Sequence, residues 1–156
     1  MKEMRTEMKK QKGFSLIELL IVVAIILIIA AIAIPNLIKS KMAANEASAV
    51  GSLRTINTAE LTYSSTYGTG FTNLTTLGTS GIVDNVLAGG TKSGYTLVAT
   101  PANGGGTSTN PYLSYSSTGT PVSSNTGTRQ FCSDESGVIR YMVTGTGCTS
   151  ASTALQ

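Results

Sequence analysis

The hydrophobic positions of this chain fall into three regimes. From Leu19 to Ile34, sixteen apolar residues follow one another without interruption, and Phe14, Leu16 and Ile17 extend the run upstream. As a helix, about 21 residues reach roughly 31 Å, enough to cross a bilayer core. Pro35 lacks an amide hydrogen and crowds the preceding turn, so a kink or local melting is expected there, with the helix continuing beyond it. The second regime is amphipathic. Val50, Leu53, Ile56, Ala59, Tyr63 and Tyr67 recur at spacings of three and four, and Lys39, Lys41, Glu46, Arg54 and Glu60 lie mostly off that stripe. Gly68 suits a helix stop. A helix over 14–67 would be about 80 Å long, with 14–35 apolar all round and 36–67 apolar on one face.

The third regime, 68–156, is rich in Ser, Thr and Gly and reads as strands joined by turns. Residues 68–93 read as a loop, with at most a short helical turn in "GIVDNVLAGG". "GYTLVAT" (94–100) alternates Tyr95, Leu97 and Ala99 and predicts a strand. "PYLSYSS" (111–117) alternates less cleanly. "RQFCSDESGVIRYMVT" (129–144) is the clearest feature: two β-rich runs joined by Ser133–Gly137, in which Gly137 can take positive φ and Asp134 suits a turn start. An antiparallel hairpin follows, packed on the stripe from Val50 to Tyr67 because a lone hairpin is marginal in water. The segments 103–110, 116–128 and 144–153 read as exposed loops. The fold class expected is α+β: a long N-terminal helix on a small antiparallel sheet.

Composition and charge remove several function classes. The chain has no histidine, so His-based acid–base catalysis and His metal ligation are excluded, and no basic group is placed to activate the many hydroxyls. No catalytic constellation is visible and no enzyme is predicted. Of the +3 net charge, all belongs to the first thirteen residues, which hold Lys2, Arg5, Lys9, Lys10 and Lys12 against Glu3 and Glu7. The remainder is balanced and gives no electrostatic basis for nucleic-acid binding. "GGTKSG" lacks the spacing and frame of a phosphate loop, and Asn73-Leu74-Thr75 fits a glycosylation acceptor pattern that arises often by chance. Asp134 and Glu135 are oxygen donors suited to Ca²⁺, but two acids on a turn read as a solvated turn, and no metal or cofactor is assigned. Two cysteines, Cys132 and Cys148, in a segment that reads as exported predict one disulfide; closing so short a loop contributes about 3 kcal/mol in the chain-entropy model.

The N-terminal run admits three readings. It is an uncleaved anchor, or a secretory signal with Ala31-Ile32-Ala33 as its small-x-small cleavage site, or a segment cut before the apolar run and retained. Glu18 counts against the plain signal, since a charge inside an apolar core is costly and has a job there. Gly13, the first glycine of the chain, stands at the junction of charged and apolar parts and fits the third reading.

"KGFSLIELLIVVAIILIIAAIAIPNL" resembles the class III signal of type IV prepilins and the related pseudopilins. The resemblance covers about residues 9–40. It implies that residues 1–13 are a leader, that a prepilin peptidase cuts after Gly13 and N-methylates Phe14, and that Glu18 is the family's hallmark glutamate. In that family the glutamate meets the amine of a neighbouring subunit and sets register; pairing lowers the cost of burying either charge. Pro35 falls where the family has its helix proline. A Cys132–Cys148 bond is similar to the disulfide-bounded C-terminal region of many type IV pilins.

The implied function is structural: a subunit polymerising into a type IV pilus, with an inner-membrane assembly platform, its ATPase and membrane lipid as partners. The Lys9, Lys10 and Lys12 cluster predicts a cytoplasmic N-terminus, with the rest periplasmic and then extracellular. The alternatives are a pseudopilin of a type II secretion system and, in another class, a secreted or membrane-anchored ligand-binding β-domain.

Overall fold

In the computed structural model, residues 13–143 and 147–155 are described. The chain divides into two units, residues 1–37 and 38–156. Helix α1 runs Leu16–Tyr67, as the periodicity predicts, and its assignment is unbroken at Pro35. The local melting expected there does not occur: one amide bond is lost inside a run of good helix formers. Gly68 ends the helix with φ +66°.

Within the first unit, α1 leaves its apolar side chains uncovered. An 18-residue window reaches a mean hydropathy of 3.3 with no part of it buried.

The second unit has one core. The C-terminal part of α1 presents Ala49, Val50, Leu53, Ile56 and Ala59 to a six-stranded antiparallel sheet whose strands lie in chain order. The strands are β1 (Thr91–Lys92), β2 (Tyr95–Ala102), β3 (Ser114–Pro121), β4 (Gln130–Asp134), β5 (Arg140–Met142) and β6 (Thr153–Ala154). Tyr95, Leu97 and Ala99 face inward from β2, as their alternation predicts, and Phe131 joins them from β4. Leu97 pairs with Gly119 and Gly119 with Phe131. A Cβ at Gly119 would stand 3.3 Å from Leu97 and 3.8 Å from Leu53, so the missing side chain is what lets α1 lie close to the sheet. The hairpin of β4 and β5 forms as expected, with Gly137 at φ +72°.

Four expectations change. Residues 68–93 are not a plain loop: α2 (Leu74–Thr79) and α3 (Asn85–Ala88) cover the core edge with Leu74, Leu77 and Leu87. Asn73 and Asp84 cap them, accepting the Thr76 and Leu87 amide hydrogens. β3 begins three residues later than "PYLSYSS" and runs through part of 116–128, where Ser117 is fully buried rather than in an exposed loop. Tyr67 is 48% exposed and not part of the core, although its ring stacks on Tyr63 at 4.6 Å. Glu46 and Glu60 lie on the buried face of α1, not off it. "GGTKSG" is the β1–β2 hairpin, with Ser93 and Gly94 both at positive φ in its two-residue turn. The third loop, 144–153, lies partly outside the described residues and carries the start of β6.

Candidate functional site

The sequence points to the segment around Gly13, Phe14 and Glu18. Gly13, Phe14 and Ser15 are not helical, and α1 starts at Leu16. Phe14 is 83% exposed, and among the described residues nothing lies within 4 Å of where a Gly13 Cβ would stand. The Gly13–Phe14 peptide therefore sits in a non-helical, exposed stretch immediately before a helix.

Ser15 is the residue that helix leaves outside. The Glu18 carboxylate, three positions on, accepts the Ser15 backbone N–H at 2.9 Å. Ser15-Leu16-Ile17-Glu18 is thus half of a capping box, with the glutamate satisfying an amide that the helix cannot. The anion also lies in the first turn, where the helix dipole favours it. The Ser-x-x-Glu spacing carries this signal, but the attention drawn by a charge in an apolar run hides it. Between Leu16 and Ile38, Glu18 is the sole charged residue. Of the leader expected over residues 1–13, all but Gly13, its basic residues included, lies outside the described residues.

Cys132 and Cys148 are joined, with Cα atoms 5.6 Å apart and a sequence separation of 16. The bond ties the segment that ends in β6 onto β4, and Leu155 then packs on the core while its amide donates to the Ile139 carbonyl at 2.8 Å. The Asp134 carboxylate accepts the Ser136 amide, and the Gly137 N–H donates to its carbonyl, so Asp134 builds the turn. Among the described residues no group of three or more acidic or cysteine side chains could hold a metal ion.

Two buried carboxylates, absent from the expected site, anchor α1 to the sheet. One Glu46 oxygen accepts the Thr128 and Arg129 amides at 2.9 and 3.2 Å, and the other takes Arg129 Nε and Nη2, both at 2.7 Å. Burial raises the Glu46 pKa, but the Thr128 amide and the Arg129 guanidinium more than offset it, and the net shift is downward. Glu60 is fully buried; it accepts the Thr72 amide at 2.9 Å, and burial, only partly countered by that bond, pushes its pKa up to about 7. Beside it, Asn57 bridges Ser133 Oγ at 2.8 Å and the Tyr115 hydroxyl at 3.0 Å. The pattern 46, 49/50, 53, 56/57, 60 is itself a three-four stripe, and only the polarity of its members conceals it.

Comparison with known proteins bears on the N-terminal segment. Residues 8–34 match the prokaryotic N-terminal methylation motif. The chain is similar to the type IV major pilin protein PilA of Myxococcus xanthus, 48% identical over 54 residues, which is 35% of this chain and 24% of that protein. It is also similar to the type IV wide pilus major component PilA4 of Thermus thermophilus, 59% identical over 39 residues, or 25% of this chain and 30% of that protein. The chain thus spans about a quarter to a third of the length of the curated relatives it matches. No solved structure matches it.

Proposed function

We propose that this chain is a structural subunit that polymerises into a type IV pilus. A prepilin peptidase cuts after Gly13 and methylates the new amine of Phe14; the exposed, non-helical Gly13–Phe14 peptide ahead of a capped helix supports this reading. The uncovered apolar length of α1 carries the reading. It lies in the inner membrane first, N-terminus cytoplasmic, and is then covered by other copies in the filament, delivered by an assembly platform and its ATPase. Glu18 does two jobs. One oxygen holds the Ser15 amide of its own chain, and the second pairs with the Phe14 amine of a neighbour, which lowers the cost of burying either charge. The role is structural and non-enzymatic. Both relatives named above are pilus components, so a pseudopilin is not favoured.

The test is complementation of a host deletion strain. The intact chain restores surface filaments visible by electron microscopy, and Glu18→Ala leaves protein in the membrane and no filaments. A fully piliated Glu18→Ala strain contradicts the assignment.

A further inference from the structure

Glu60 lies outside the N-terminal segment assigned to processing and assembly, and it is built into the head with unusual surroundings. Its side chain is fully buried on α1. Oε2 accepts the Thr72 backbone N–H at 2.9 Å, whereas Oε1 is buried with no hydrogen-bond partner among the described residues. The loop it grips, Gly68–Asn73, turns at Gly68 and Gly70, both at positive φ. It is stitched to the segment before β3: the Phe71 amide donates to the Tyr112 carbonyl at 3.2 Å, and the Tyr112 amide donates to the Thr69 carbonyl at 3.0 Å. The Phe71 ring lies on the Tyr115 ring at 4.7 Å. One carboxylate therefore links helix, loop and sheet.

Among the described residues no cation pairs with that carboxylate. The salt bridge among the described residues is Glu46–Arg129, at the other end of the buried stripe. From β3 the group facing Glu60 is Tyr115, whose phenol is pushed up by burial and then by the negative charges of Glu60, Asp134 and Glu135. Asp134 and Glu135 act from the β4–β5 turn, and on α1 itself the nearest titratable neighbour along the face is Tyr63. All are neutral or anionic. A neutral Glu60 fits this place, with the proton on the unpartnered oxygen. An ionised one puts an uncompensated charge under the sheet.

We propose that Glu60 is a proton-operated latch: neutral, it seats the Gly68–Asn73 loop between α1 and β3, and ionised, it loosens that loop and the Tyr112 strand end. The geometry identifies the latch, and the carboxyl pKa of about 7 places its operation near neutral pH. The proton stabilises the seated form because the folded pKa is raised above the free value of 4.5. Seating is therefore full below the free value and weakens as pH rises toward the folded one.

The experiment is hydrogen exchange at the Thr72 and Phe71 amides of the full-length chain in detergent micelles, with the intrinsic pH dependence removed. Between pH 5.5 and 8.5, protection at Thr72 falls by about 30-fold if opening frees Glu60 to its ordinary pKa, and in Glu60→Gln it stays flat. Carbon NMR of the Glu60 carboxyl in the unaltered chain supplies a second reading that needs no variant to fold. A midpoint near neutrality supports the latch. A midpoint near the free value overturns it, as does pH-independent protection in the unaltered chain or an unchanged pH response in Glu60→Gln.

Discussion

Replacing Glu46 by Ala removes the anchor that holds the connection between β3 and β4 against α1. Glu46 is only 8% exposed at its side chain, and Arg129 is 38% exposed. The substitution strips acceptors from the Thr128 amide, the Arg129 amide and two guanidinium nitrogens. Breaking a buried charged pair costs about 3–5 kcal/mol. Arg129 and Thr128 sit near the surface and recover water, so the expected loss falls below that range, at about 2–3 kcal/mol. Part of the site survives. Asn45 Nδ2 still donates to the Thr126 carbonyl at 2.9 Å, and the Arg129 guanidinium still lies 5.6 Å from the Phe131 ring centroid and 5.5 Å from that of Tyr141. The assay is urea unfolding of the full chain in detergent, followed by near-ultraviolet circular dichroism of its six tyrosines, since there is no tryptophan. The Glu46 pKa is lowered in the fold, so its contribution is present above the unfolded value and is lost as pH falls through the folded one. The variant's deficit should therefore shrink in acid. A loss below about 0.5 kcal/mol at neutral pH, or a deficit that grows in acid, refutes the reasoning.

Three further outcomes follow from the same geometry. Cys148→Ser opens the 16-residue loop and should cost about 3 kcal/mol, with carboxypeptidase trimming of the β6 end accelerated, and reductant should reproduce the effect in the unaltered chain. Gly127→Ala drives a Cβ onto the buried Tyr95 phenol, which donates to the Arg129 carbonyl at 2.8 Å, and should lower stability by about 2 kcal/mol in a thermal melt. Gly51→Ala does the reverse: the site is helical, exposed and open for 4 Å, so a gain of about 0.5–1 kcal/mol is expected in the same melt.

Legibility in the sequence tracked how far apolar character reported on burial. The helix from residue 16 to Tyr67, its stop at Gly68, the strand at 95 and the hairpin after Gln130 were plain because their inward positions are Leu, Ile, Tyr and Phe. β3 was shifted and half lost because α1 crosses close above it. Of its inward positions Tyr115, Ser117 and Gly119, the last two are small, so alternation of polarity fades there. α2 is hidden because the helix that the Asn73 side chain caps is too short to show a period. Glu46 and Glu60 were misplaced on the assumption that charge faces water. Each has its own satisfying or neutralising arrangement, and neither partner is near in sequence. At the N-terminus, Gly13, Phe14 and Glu18 were legible as a local motif, and what the structure added was the cap Glu18 makes on Ser15.

The central claim is that the mature chain begins at Phe14 and is held in a filament by its uncovered helix. Intact and N-terminal peptide mass spectrometry on protein sheared from the cell surface tests it most directly. The account predicts a chain starting at N-methylated Phe14 and two hydrogens lighter for the Cys132–Cys148 bond. A chain starting at Ile34, or one still carrying Met1, contradicts it.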